Sequence, residues 1–150
     1  MSKKSIALLI LLILIPIVIF LLWPSDESRI KKLFKEGSKA IEKEELDVVM
    51  SKVSYNYSDD YGLTYLYIKE NMKRVFQQLN DIKIEYENMK ITISKNIATA
   101  GIDVRVVATI GNDTGYILGD LDKPVHLKFT LEKVRAKWLV IKTEGLPFNF

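Results

Sequence analysis

The sequence predicts an α+β domain: a curved antiparallel sheet of about four long strands wrapped on three N-terminal helices, preceded by one transmembrane helix. Three observations carry this. Residues 6–23 form an apolar run without a charge, three stretches between Asp26 and Leu79 repeat their apolar positions at helical spacing, and beyond Asn80 the repeat shortens to two.

The apolar run, Ile6 to Trp23, holds no charged or strongly polar side chain. Its 18 residues reach about 27 Å as a helix, close to the roughly 30 Å hydrocarbon core of a bilayer. A cleaved signal peptide is the competing reading. The run is longer than an h-region, however, and "IVIFLLWPSDE" offers no small-x-small cleavage site. The chain has no cysteine, which excludes a lipoprotein anchor and a disulfide framework. Residues 6–23 are therefore expected to be an uncleaved signal anchor that makes the lipid bilayer a partner. Trp23 suits the interfacial aromatic belt, and Pro16 is tolerated within a span.

Lys3 and Lys4 favour a cytoplasmic N-terminus. Residues 1–5 then form a short basic cytoplasmic tail, and residues 25–150 lie on the extracytoplasmic side of the cell membrane. "RIKKLFK" is basic too, but Asp26 and Glu27 intervene, and a long folded domain crosses largely regardless of charge. Two of the 22 Lys and Arg precede the run, so the rest nearly balance the 19 Asp and Glu. A nucleic-acid-binding domain carries a basic stripe or patch. "KKLFKEGSKAIEKEE" instead alternates lysine with glutamate, as a solvated helix face does. Nucleic acid is not an expected partner.

Ser25 can cap a helix whose first turn holds Asp26 and Glu27, both favourable at the positive end of the dipole. Ile30, Leu33, Phe34, Gly37 and Ile41 form its buried stripe. A short second helix fits "EELDVVMSKV", with Leu46, Val49, Met50 and Val53 on one side. The third starts at Thr64 as N-cap, with Leu63 and Ile68 spaced as a hydrophobic staple. Its stripe is Tyr65, Ile68, Met72, Val75, Phe76 and Leu79.

In the strands, Ile102, Val104, Val106, Ala108 and Ile110 share one face, and Val125, Leu127, Phe129 and Leu131 do the same. The first strand changes phase: Ile82, Ile84 and Tyr86 are followed by Met89, Ile91 and Ile93. A bulge near Glu87–Asn88 restores the face and bends the strand. "KWLVIKTEG" closes the sheet. Trp138 alternates with Leu139 and Ile141, and is expected to cover the outer face or pack on Phe148. The stretch "GNDTGYILGDLDKP" is expected to be an extended hairpin connection. One apolar sheet face and matching helix stripes call for helices layered on the sheet.

The acidic helix start, the passage "ELDVVMSKVSYNYSDDYG" into a short strand at Val53–Tyr57, the bent strand and the final W-x-V-I-K-x-E-G carry a resemblance. Residues 26–146 resemble the cone-shaped superfamily named after nuclear transport factor 2, which also holds ketosteroid isomerases and polyketide cyclases. The chain looks like a membrane-anchored member. The resemblance implies a pocket between helices and concave sheet. In the isomerases a tyrosine and two aspartates project into it, one acting as base and two as oxyanion donors.

Here the inward positions expected to supply such groups are apolar. General acid–base work needs a proton acceptor within hydrogen-bond reach of the substrate, so no catalytic residue is expected. Phe34, Tyr55, Tyr57, Asp59, Asp60 and Tyr61 are candidate pocket lining, with Tyr55 and Tyr57 on one strand face turned to the pocket. "SDDYG" has turn chemistry of its own, since Asp bonds backbone amides and Gly takes positive φ. His126 falls beside Lys128 and Glu132 on the outer face, without the clustered partners of a metal site. Asp113, Asp120 and Asp122 do not match an EF-hand. No metal or cofactor is expected.

The function expected is a non-catalytic, membrane-tethered interaction or ligand-binding domain. Its partner would be a protein or a small apolar ligand. The alternative is an isomerase- or cyclase-type enzyme with Asp59 or Asp60 as base. Arg105, Val107, His126 and Lys128 on the outer sheet face, with Phe148 and Phe150 in the tail, form the candidate interface. A mixed face of both charge signs suits a weak homodimer about a twofold axis.

Overall fold

The computed structural model describes residues 3–147. In chain order it contains α1 (Lys3–Leu22), α2 (Asp26–Glu42), α3 (Leu46–Met50) and α4 (Tyr65–Gln78), followed by five strands. These are β1 (Leu79–Ser94), β2 (Ile97–Ile110), β3 (Asp113–Leu118), β4 (Val125–Val134) and β5 (Lys137–Glu144). Phe148 and Phe150 lie outside the described residues.

Helix α1 contains Pro16, and none of its apolar window is buried against the rest of the chain. Its length and composition make it a candidate span. Helix α2 begins where a cap stands: Ser25 Oγ accepts the Ser28 N–H at 3.2 Å. Along α2 the turn-by-turn spacing brings Ile30, Leu33 and Ala40 fully under cover. Burying a side chain the size of Ile or Leu stabilises the fold by roughly 1.5–3 kcal/mol, so this stripe alone fixes α2 on the sheet. Asp26 adds a polar tie. Its carboxylate accepts the Trp138 indole N–H at 3.1 Å and Lys133 Nζ at 2.9 Å.

The sheet runs β1-β2-β4-β5, antiparallel throughout. Strand β2 is long enough to change partner along one side. Residues 97–104 pair with β4, and residues 106–110 pair with β3. The β1–β2 register shifts between Glu87 and Lys90, where Asn88 takes a φ of 55°. The phase change in the sequence predicts this bulge, which bends the strand. A second irregularity lies between Asn80 and Lys83. At the β5 edge, Val53 bridges Val140 in parallel, and the Ser54 and Ser58 N–H groups bond the Val140 and Ile141 carbonyls.

Three expectations need correction. Residues 53–57 make one bridge to β5 rather than a strand, because the Val53–Ser58 stretch turns with the Tyr57 N–H on the Ser54 carbonyl. The stretch after Ile110 carries the short strand β3 within the predicted connection. Trp138 lies on the inner face with Val140, while Leu139 and Ile141 are only half-buried. Its ring joins the cluster of Ile30, Leu33, Ala98, Ala100 and Leu131. Helix α4 spans the predicted stripe, but its apolar positions stay half-buried and none is fully covered.

Trp138→Ala should therefore cost about 3 kcal/mol or more, as truncation of a buried aromatic does. Denaturant unfolding of the full chain in detergent measures it. A loss well under about 1 kcal/mol would contradict this packing.

Candidate functional site

The interior between α2 and the concave sheet is filled. Ile30, Ala100 and Leu131 have essentially no exposure, and Phe34 from α2 meets Phe129 from β4 edge-on at 5.0 Å. Phe34 thus packs the core instead of lining an open pocket. Further along the sheet, Ile102, Val104 and Leu127 are buried under half-covered Ile84, Met89, Val106, Leu118 and Val125. The buried polar residues are Ser54 and Asp59, and Tyr57 brings its hydroxyl into the core beside Asp59.

Asp59 is occupied by its own turn. One carboxylate oxygen accepts the backbone N–H of Tyr61 at 3.0 Å and of Leu63 at 2.9 Å. The other accepts the Tyr57 hydroxyl at 3.3 Å. The Gly62 N–H closes on the Asp59 carbonyl, with Gly62 at a φ of 77°. Burial pushes the Tyr57 hydroxyl above its ordinary pKa, which keeps it a neutral donor. Asp60 points outward to Lys142 Nζ at 2.9 Å, and this bond raises the lysine's pKa. Tyr61 is exposed. Tyr55 is 84% exposed and stacks on Tyr65 with ring centroids 4.5 Å apart. Tyr55 and Tyr57 therefore do not share a pocket face. Without a ladder to impose alternation, neighbouring tyrosines are free to diverge.

The outer sheet face spends its charges within the chain. Asp103 receives Asn88 Nδ2 at 2.9 Å and contacts His126 Nδ1 at 2.7 Å. These bonds, Asn88's first, hold its carboxyl below the usual range. Arg105 bonds Glu87 at 3.0 Å and the Asp120 carbonyl at 2.9 Å. Lys128 pairs with Glu144 at 3.4 Å, and Val107 is half-buried between Lys83 and Tyr116 in the ladders. Asp120 caps its own loop by accepting the Asp122 and Lys123 N–H groups. No cluster of three metal-ligating side chains occurs among the described residues.

A groove of about 650 Å³ runs between α2 and β1, on a face that the lysine–glutamate alternation marks as plain solvated helix. Lys31, Lys32, Lys35, Glu36 and Lys39 line one wall, and Tyr86 and Met89 line the other. Glu27 takes Lys31 at 2.6 Å, and Glu36 takes Lys52 at 2.5 Å. Lys35 and Lys39 have no ion-pair partner among the described residues. The signal in the sequence was Lys31, Lys35 and Lys39 at four-residue spacing, one stripe of a helix.

No family model and no curated protein sequence matches the chain. Solved structures do. A proposed scytalone dehydratase from Novosphingobium aromaticivorans superposes with a TM-score of 0.69 at 12% identity, over 79% of this chain and 81% of that one. A proposed aromatic ring hydroxylase from the same organism gives 0.67 at 16%, over 79% and 85%. A nuclear transport factor 2-like protein with a cystatin-like fold, also from that organism, gives 0.62 at 11%, over 99% and 91%. The fold is the nuclear transport factor 2-like cone.

Where α2 crosses the sheet the concave side is packed with side chains, and the groove between α2 and β1 opens outside that packing. The turn role of Asp59 can be measured. Asp59→Ala leaves buried donors unpaired, so it should cost about 2 kcal/mol. Asp60→Ala should leave the unfolding midpoint nearly unchanged. If Asp59→Ala were as stable as the parent, the carboxylate would be free for another task.

Proposed function

We propose that this chain is a membrane-tethered, non-catalytic binding domain, with its N-terminus in the cytoplasm and its cone on the extracytoplasmic side. The observation that carries the non-catalytic part is the filled interior. Ile30, Ala100 and Leu131 occupy it, and Asp59, the one buried carboxylate among the described residues, is committed to three donors. Some fold neighbours carry enzyme names, a scytalone dehydratase and an aromatic ring hydroxylase, and the second reading for this chain is an isomerase- or cyclase-type enzyme. It would need Asp59 or Asp60 as base. The first is tied into a turn, and the second sits on the surface against Lys142. General base catalysis requires an acceptor facing bound substrate, so the binding reading accounts for more of what is seen.

Binding falls to the groove between α2 and β1. Its volume lies within the usual range for small-molecule sites. An apolar floor of Tyr86 and Met89 beside Lys35 and Lys39 suits a small apolar ligand carrying an acid group. The tether reading rests on α1, whose apolar window has a mean hydropathy of 3.3 and no contact burial.

Two experiments test the two halves. Protease added outside spheroplasts should digest a C-terminal tag, and the purified chain's intact mass should still include residues 1–24. A mature chain beginning near Ser25 would overturn the anchor. For the groove, calorimetric titration with an aromatic carboxylate should show binding that Lys35→Glu with Lys39→Glu weakens about tenfold or more. Equal affinity in that variant would remove the groove from consideration.

A further inference from the structure

We infer that the anchor-side end of the cone is a docking surface for anionic phospholipid headgroups. This rests on the membrane-tether reading above. Between Leu22 at the end of α1 and Asp26 at the start of α2 stand Trp23, Pro24 and Ser25. Three residues span about 10 Å at most, so the end of the domain that holds the start of α2 stays at the headgroup layer.

That end is defined by contacts. Arg29 Nη1 bonds the Ala136 carbonyl in the β4–β5 turn at 3.2 Å. Lys133 Nζ reaches Asp26, and its N–H bonds the Asn96 carbonyl in the β1–β2 turn at 2.8 Å. Both hairpin turns and the start of α2 therefore meet at the anchor. The Arg29 guanidinium lies 5.7 Å from the ring centroid of Trp23 itself.

The charges there that lack an ion-pair partner among the described residues are of one sign. Arg29, Lys95, Arg135 and Lys137 have no ion-pair partner among the described residues. Of the nearby acids, Asp26 is held by Lys133 and Trp138, and Glu27 by Lys31. Two of the cations occupy an unfavourable backbone. Lys95 and Arg135 sit at φ of 55° and 58°, where Gly or Asn would be the easier choice for the turn.

A cleft of about 430 Å³ completes the surface. Phe20, Trp23 and Pro24 form its apolar side, and Asp26, Arg29 and Lys133 its charged side. That pairing matches the boundary between acyl chain and phosphate. Basic groups near an anionic leaflet are attracted over roughly a Debye length, about 8 Å in physiological salt. The short linker keeps both turns near that range.

The test uses the full chain in lipid nanodiscs. The protein has no cysteine, so a fluorophore on Ala136→Cys reports the hairpin alone, with a quencher attached to lipid headgroups. Quenching should be about twofold stronger in discs of phosphatidylcholine with phosphatidylglycerol than in phosphatidylcholine alone, and high salt should erase the difference. Lys95→Gln, Arg135→Gln and Lys137→Gln together should erase it as well, and the corresponding glutamates should reverse it. Equal quenching in both discs, with the chain inserted, overturns the docking surface and leaves the tether standing. Displacement by millimolar inorganic phosphate at constant ionic strength would assign the site to free phosphate and overturn the lipid. A chain that enters neither disc removes the tether and this surface together.

Discussion

The carboxylate of Asp26 accepts the Trp138 indole N–H and the Lys133 ammonium, 112 and 107 positions away in the chain. Most of the domain's geometry follows from this. The bonds set where α2 starts above the β4–β5 hairpin, and helical rise then delivers Ile30 and Leu33 onto Ala98, Ala100 and Leu131. They also satisfy an indole N–H that burial would otherwise leave without a partner. Lys133, then Trp138, hold the Asp26 carboxyl below its ordinary pKa, so the node stays charged at neutral pH. Because three residues separate Asp26 from the end of α1, the same node joins the apolar helix to the cone.

Packing is uneven on the concave side. Around Ile30, Leu131 and Trp138 the side chains are fully covered, whereas the cluster on Ile102 and Leu127 is roofed by half-exposed residues. Helix α4 contributes no fully buried residue. The cone is thus tight where α2 crosses it and looser elsewhere. Polar groups capable of recognition have gathered outside it, on the α2 groove and around the two hairpin turns.

What could be read from the residues was whatever a local pattern determines. The Ser25 cap, the α2 stripe and the inward faces of β2 and β4 follow from spacings of three to four or of two. The bulge at Glu87–Lys90 showed as a change of phase. Trp138, Leu139, Val140 and Ile141 are apolar in succession, which leaves the alternation without a phase and the face of Trp138 open. Strand β3 was hidden by Gly115 among turn residues. Tyr55 and Tyr57 share a face only where a strand aligns them, and here the chain turns between them. The α2 groove is hidden in the sequence for a different reason. Lysines interleaved with glutamates look solvated until the structure shows Tyr86 and Met89 beside them, and no spacing along one helix reveals its neighbour.

Strand β1 is the longest edge of the sheet, sixteen residues with β2 on one side only. A ladder that long is a template on which another chain could add a strand and start an aggregate. The bulge interrupts it. The left-handed residues Asp81 and Asn88 break the row of outward N–H and C=O groups into shorter lengths. Glu42 from α2 occupies the Ile84 N–H at 2.9 Å, and Lys83, Glu85, Glu87 and Lys90 stand exposed along the rest. The kink that curves the cone therefore also protects the protein from polymerising along its own edge.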